Sequence, residues 1–279
     1  MTQAAANWEL SRRTLSLVRP QIMGILNVTP DSFSDGNRFF SLDAAVDRAQ
    51  EMEREGADII DIGGESTRPN APPVGLAREL DRVIPVIEAL AGKLSVPISI
   101  DTYKAGVARA ACAAGAEIVN DVTGLMFDPD MAGAVAEADA GLVVMHTRGM
   151  PDTMQAQTGY HDLIAEVKRY LEHSLALAQA AGIPAARVAV DPGIGFGKSV
   201  EGNLELIRRL GELLPLGRPI LVGPSRKSFI GAVLGRGGGE RMFGTAAAVA
   251  VSIAHGASIV RVHDVAAMRD VAVMARALV

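Results

Sequence analysis

Eight times along this chain a short apolar run stops on a polar residue or a glycine, a polar loop follows, and an amphipathic segment leads to the next run. The apolar runs are expected as strands at residues 22–26, 58–62, 97–101, 116–120, 141–145, 187–191, 219–222 and 258–261. The intervening helices are expected at 41–55, 77–91, 104–114, 130–138, 160–181, 200–211, 245–255 and 265–278. Ser41 suits the N-cap of the first helix and Gly56 its stop, while Pro85 should kink the second. The sharpest strand end is the first. Asn27 closes an apolar run, and Pro30, Asp31, Ser32, Ser34, Asp35 and Gly36 cannot prolong it.

Alternation of this kind, with no Pro- or Gly-rich linker, predicts one α/β domain with a parallel sheet. Two architectures compete: an open doubly wound sheet and a (β/α)8 TIM barrel. An open sheet concentrates its unusual residues at one switch point, whereas here they recur after nearly every strand. The barrel is the expected fold, spanning 14–279, with residues 1–13 as a partly disordered extension. A short N-terminal β-hairpin is expected to pair 14–18 with the returning run 22–26. Ser11-Arg12-Arg13-Thr14-Leu15 resembles a twin-arginine export signal, but Arg19, Pro20 and Gln21 break the apolar stretch such a signal needs.

Composition narrows the function. The 279 residues carry a net charge of −5 and few aromatics, so neither a basic field nor a base-stacking surface points to nucleic acid. The single cysteine, Cys112, excludes an internal disulfide and a cysteine-built metal site, and its alanine-rich surroundings mark it as a buried helix residue. The chain reads as cytoplasmic. Residues 242–260 hold no formal charge, but Thr245, Ser252, His255 and Ser258 interrupt them, which predicts a buried small-residue helix, of a kind that suits a subunit contact, instead of a membrane span. Gly193 to Ser199 imitates the end of a phosphate loop, yet Pro192 stands where its first glycine belongs. The five histidines lack metal-ligand spacing, and no Gly-x-Ser-x-Gly elbow occurs.

Barrel enzymes work at the C-terminal ends of their strands. Gathered there are Asn27, Asp61, Asp101, Asn120, His146, Asp191, Lys227, Arg261 and His263, with Asp35, Thr67, Arg68 and Ser225 on nearby loops. Asp101, Asn120 and Asp191 can accept hydrogen bonds from adjacent N–H and NH2 groups, as on an aminopyrimidinone, and Lys227 can donate to the same ring. Asp101 and Asp264 could alternatively serve as helix caps. Arg261 and His263 alternate on one strand, so they share a face, and they precede a helix N-terminus suited to phosphate.

The motifs MGILNVTPDSFSDG, DIGGESTRP, SIDTYK, IVNDVTG, DPGIGFGK, VGPSRKSFIG and RVHDV occur in that order. Together they resemble the dihydropteroate synthase family, departing from its pattern in Asn70 and in Pro224 before Ser225. The resemblance implies condensation of a 7,8-dihydropterin-6-ylmethyl diphosphate with 4-aminobenzoate, in a homodimer using Mg2+. It implies pterin contacts from Asp101, Asn120, Asp191, Lys227, Met145 and Arg261, and diphosphate contacts from Asn27, Thr67, Arg68, Arg261 and His263. Phe33, Thr67, Pro69, Phe196, Lys227 and Ser228 would form the aminobenzoate pocket. Asn27 would meet the metal, and Asp101, Lys227, Asp35 and Asn27 would carry the chemistry. Loss of diphosphate ahead of amine attack, with no essential general base, is the path expected. A pterin-dependent methyltransferase would need no diphosphate clamp, and a silent paralogue would be expected to lose Asn27, Thr67, Arg68 and Pro69.

Overall fold

The computed structural model describes residues 6–29, 38–65 (side chains from Leu42), 73–149, 154, 157–236 and 241–279. Eight parallel strands form one sheet: β3 (Gln21–Asn27), β4 (Ile59–Gly63), β5 (Ile98–Asp101), β6 (Ile118–Asp121), β7 (Gly141–Met145), β8 (Val188–Asp191), β9 (Leu221–Val222) and β10 (Ile259–Val262). Their order is β8-β7-β6-β5-β4-β3-β10-β9, and a parallel bridge between Val190 and Ile220 joins the two ends. The sheet closes into the expected (β/α)8 barrel. Nearly every strand residue is buried, as required when one face lines the barrel and the other lies under helices.

The outer helices are α1 (Arg38–Arg54), α2 (Leu76–Leu90), α3 (Ala105–Ala114), α4 (Met131–Glu137), α5 (Leu163–Ala180), α6 (Val200–Arg208), α7 (Ser228–Leu234), α8 (Met242–Ala254) and α9 (Val265–Ala277). Two starts are set by side-chain caps: Asp162 accepts from the Ala165 amide, and Ser199 from that of Gly202. Helix α1 begins ahead of Ser41, which therefore does not cap it. Asp264 precedes α9 without capping it, because its carboxylate pairs with Arg226 instead. Helix α7 was not anticipated, since its seven residues are too few to show a period. No described helix is long and apolar enough to cross a membrane. Cys112 packs beside the core, where burial pushes its thiol up to about 11.

The hairpin exists, but with a different partner. Strand β1 (Asn7–Glu9) pairs antiparallel with β2 (Thr14–Ser16), while residues 22–26 belong to the barrel strand β3. Expecting 14–18 to pair with 22–26 overlooked that a central barrel strand already has two neighbours, here β4 and β10. The hairpin serves as the barrel floor. Trp8 is fully buried and, with Leu10, packs against Met23, Ile59, Ile118, Val143, Ala189, Leu221 and Ile259. These seven come from seven different strands, so they form the lowest layer of the barrel interior. The Trp8 indole N–H donates to the Arg187 carbonyl at 2.8 Å. Gly141 makes room: a Cβ there would lie 2.5 Å from a Leu10 methyl.

Strand periodicity then determines what lies above. Two residues beyond the floor layer, the same face carries Ile25, Asp61, Asn120, Met145, Asp191, Gly223 and Arg261. The floor is apolar and the upper layer is mostly polar. The polar side chains are thus buried in the layer next to the C-terminal ends of the strands.

Candidate functional site

Arg261 organises the centre of this upper layer. Its Nε lies 2.6 Å from Asp61 Oδ2, and one terminal nitrogen, Nη2, lies 2.6 Å from Asp101 Oδ2. Asn120 donates through Nδ2 to the same oxygen of Asp61, at 3.3 Å. A carboxylate can only accept, so the NH2 end of Asn120 faces Asp61 and its carbonyl oxygen is left for other donors. Asp61, Asp101, Asn120 and Asp191 are all buried.

Two carboxylates against one guanidinium leave an excess negative charge in a dry place. Burial pushes Asp101 up to about 7; Arg261 opposes this, while Asp61 and Glu79 add to it. Asp191 rises to about 6, again through burial, although its Oδ1 accepts from the Gly193 amide at 2.6 Å. Burial also works against the charge on Arg261, but Asp61 and Asp101 outweigh it and the guanidinium is held more firmly protonated than usual. Lys227 is lowered to about 8 by burial and by Arg261. Its ammonium stands 4.0 Å from the centre of the Phe196 ring. Met145 and Phe196 form a small apolar wall with Val122 and Met154, against which Tyr103 packs.

At the rim, a Cβ added to Gly63 would sit 3.6 Å from the Asp101 Cβ and 3.8 Å from Asn27 Oδ1, so both side chains reach the space above Gly63. His263 Nδ1 shares a hydrogen bond with Ser225 Oγ at 2.9 Å. Burial, then Arg261 and Arg226, push its imidazole down to about 4, so it is neutral at pH 7 and offers a hydrogen bond in place of a charge. Ser228 is exposed at the start of α7. Phe33, Asp35, Thr67, Arg68 and Pro69 lie outside the described residues.

His146, expected among the converging side chains, does not join them. It follows Met145, which faces inward, and so points outward between the barrel and α5. There Nδ1 meets the Lys198 ammonium at 2.9 Å and the ring lies edge-on to Tyr170. Burial and Lys198 lower its pKa to about 2. Lys198 is itself buried and donates also to the carbonyls of Gly193 and Phe196, both at 2.8 Å. The lysine of the phosphate-loop imitation thus braces the loop after β8, the loop that supplies the amide bound to Asp191. Nothing in the local sequence around Lys198 signals this role, because its partner His146 lies 52 residues away.

A second network was also missed. Lys104 bridges Glu65 at 2.5 Å and Glu79 at 2.6 Å, Tyr103 donates to Glu65, and Thr102 donates to Glu79. Its members come from two loops and helix α2, with Lys104 lying 39 positions beyond Glu65 and no local pattern to link them. It fixes Glu65, at the start of the loop after β4, to the exit of β5.

Fold and site define a (β/α)8 barrel of the enzyme type, whose mouth offers buried acceptors suited to a flat ring bearing hydrogen-bond donors, beside groups suited to an anion. The family model for the pterin binding enzymes matches residues 23–263. A dihydropteroate synthase of Synechocystis is 51% identical over 261 residues, covering 93% of this chain and 90% of that protein. The Xanthomonas albilineans dihydropteroate synthase, solved with 4-aminobenzoic acid, superposes with a TM-score of 0.92 at 44% identity, covering 99% of this chain and 98% of that one. That of Yersinia pestis, solved with a sulfonamide drug complex, also gives 0.92, at 43% identity and 98% coverage of both chains. The chain belongs to the pterin-binding enzyme family, in its dihydropteroate synthase branch.

Proposed function

We propose that this barrel condenses 7,8-dihydropterin-6-ylmethyl diphosphate with 4-aminobenzoate to give 7,8-dihydropteroate and diphosphate, a step of folate synthesis. The observation that carries the reading is the buried acceptor set of Asp101, the Asn120 carbonyl oxygen and Asp191, with Lys227 and Arg261 beside it. An aminopyrimidinone presents adjacent N–H and NH2 donors, which suit these acceptors, and Lys227 donates to the ring in return. Met145 lines the pterin pocket, and Arg261 covers the pterin face while staying tied to Asp61.

Diphosphate must leave from the methylene. His263 and Arg261 receive its oxygens, with Thr67 and Arg68 as further contacts. The ring takes up the positive charge left behind, and the carboxylate of Asp101 favours that charge electrostatically. The aniline nitrogen then attacks and needs no general base, because an arylamine is nucleophilic without deprotonation. Phe196, Lys227 and Ser228 line the aminobenzoate side with Phe33, Thr67 and Pro69; a sulfonamide would compete for the same place. Asp35 belongs to the loop expected to shield the cation from water.

Mg2+ fits Asn27 better than an all-protein cage. The Asn27 carboxamide is half-exposed at the mouth, and no cluster of three acidic, His or Cys ligands occurs among the described residues. The amide oxygen of Asn27 would suit this hard cation, which prefers oxygen ligands. When bound, it would neutralise charge on the leaving group.

A homodimer is supported by the apolar exposure of Met242, Phe243 and Val251 on α8 and of Val273 and Met274 on the adjoining α9. A cytoplasmic setting is supported by Arg12 and Arg13, which are committed to the fold through the Gly115 carbonyl and Glu117. Incubation with both substrates and Mg2+ should yield dihydropteroate and diphosphate in equal amounts. Methyl transfer from methyltetrahydrofolate, with no diphosphate formed, would overturn the reading.

A further inference from the structure

Asp61 touches neither the mouth nor, in the reading above, either substrate. It is fully buried in the layer that also carries Asn120 and Arg261, yet these two pterin-side residues depend on a single one of its oxygens. Oδ2 accepts from Arg261 Nε at 2.6 Å and from Asn120 Nδ2 at 3.3 Å. Oδ1 is buried and has no partner among the described residues, so every polar contact the carboxylate makes is directed at those two side chains.

Each contact has a consequence for recognition. An asparagine amide can present either end, and the choice decides whether it accepts from a donor edge or repels it. An obligate acceptor behind Asn120 turns the NH2 inward and the carbonyl oxygen outward. Arg261 spans two carboxylates, bonding Asp101 through Nη2 at 2.6 Å. With Asp61 holding Nε, the guanidinium is already neutralised from below, and Asp101 keeps acceptor capacity for a ligand.

We propose that Asp61 is a positioning residue for pterin recognition: one carboxylate oxygen sets the amide orientation of Asn120 and anchors Arg261, so that the acceptor set is ready before the ring arrives. The proposal rests on the assignment of Asp101, Asn120 and Arg261 to the pterin. It carries a sign that a merely structural role lacks. Removing the Asp61 charge frees Asn120 to turn and throws Arg261 wholly onto Asp101, which weakens pterin binding. The same change leaves the mouth more positive, which favours an anion.

The test separates the two halves of the substrate, using 6-hydroxymethyl-7,8-dihydropterin and inorganic diphosphate with Mg2+ as distinct probes in calorimetric titrations. Asp61→Asn is expected to weaken the pterin by about tenfold or more, as befits hydrogen bonds involving charged groups. Diphosphate is expected to bind at least as tightly as to the wild type. In the pH dependence of pterin binding, the fall on the acid side should also move to lower pH. Asp61 and Glu79 hold the Asp101 carboxyl up against Arg261 and Lys227, and one of the two would be gone. If Asp61→Asn does not fold, Asp61→Ser, with water in the vacated space, carries the same expectations. Asp101→Ala is the control for the underlying assignment. Pterin binding lost in Asp101→Ala but intact in Asp61→Asn would overturn the proposal alone, as would equal weakening of both probes in Asp61→Asn. Pterin binding unchanged in Asp101→Ala would overturn the assignment itself.

Discussion

Replacing Trp8 with alanine tests whether the N-terminal hairpin is a structural floor or an appendage. The indole is fully buried against side chains from seven strands and donates to the Arg187 carbonyl at 2.8 Å. Truncating a buried aromatic residue costs about 3–5 kcal/mol, through lost apolar transfer and the cavity left behind. Stranding the carbonyl partner adds about 1 kcal/mol, unless water enters the cavity and restores the bond. A loss of about 4 kcal/mol is therefore expected, a large fraction of the ~5–15 kcal/mol that holds a typical domain together. Equilibrium urea unfolding reads it directly as a lower midpoint with little change in slope. The floor lies at the end of the barrel opposite Asp101 and Lys227, so KM for both substrates at low temperature should stay within about twofold. A loss below about 1 kcal/mol, within the range of ordinary surface changes, would refute the floor assignment.

Other expectations concern the mouth. Gly193→Ala should lower the affinity for the pterin sharply, because φ is +70° and the new methyl would collide with the His146 carbonyl oxygen, displacing the amide that binds Asp191; pterin titration of the folded variant measures it. Lys198→Met leaves His146 and the Gly193 and Phe196 carbonyls without their buried donor, so a stability loss of about 2–4 kcal/mol is expected by urea unfolding. The pH profile of kcat/KM for the pterin diphosphate should be bell-shaped. Its acid limb should rise through about 6–7 as Asp191 and Asp101 ionise, and its alkaline limb should fall near about 8 as Lys227 loses its proton. Deuterium at the reacting methylene should give a normal secondary isotope effect if diphosphate departs before the amine attacks; a value near unity would exclude that order.

The barrel was legible in the sequence because its signal repeats. Each strand from Ile22 to Arg261 is a short apolar run closed by a polar residue or a glycine, and eight weak signals in phase define one architecture. Asp101, Asn120, Asp191 and Arg261 were legible for the same reason, since strand ends point at the mouth. What escaped depended on parity and on distant partners. His146 lies one residue beyond an inward-facing position, which turns it away from the site. The hairpin was assigned to the wrong strands because Trp8 and Leu10 show no periodicity of their own; only the apolar floor beneath Met23 and Ile59 explains them. Lys198 and the Glu65–Lys104–Glu79 network join loops far apart in sequence, and charges of this kind read locally as solvated surface.

The most direct measurement of the central claim is diphosphate release from 7,8-dihydropterin-6-ylmethyl diphosphate with Mg2+, with and without 4-aminobenzoate, in the wild type and in Lys227→Ala. The account predicts release coupled to dihydropteroate formation in the wild type and a collapse of turnover in the variant, which lacks the ammonium placed over Phe196 and near Asp101 and Asp191. Tight binding of the pterin diphosphate with no release by the wild type, or full turnover by Lys227→Ala, would contradict it.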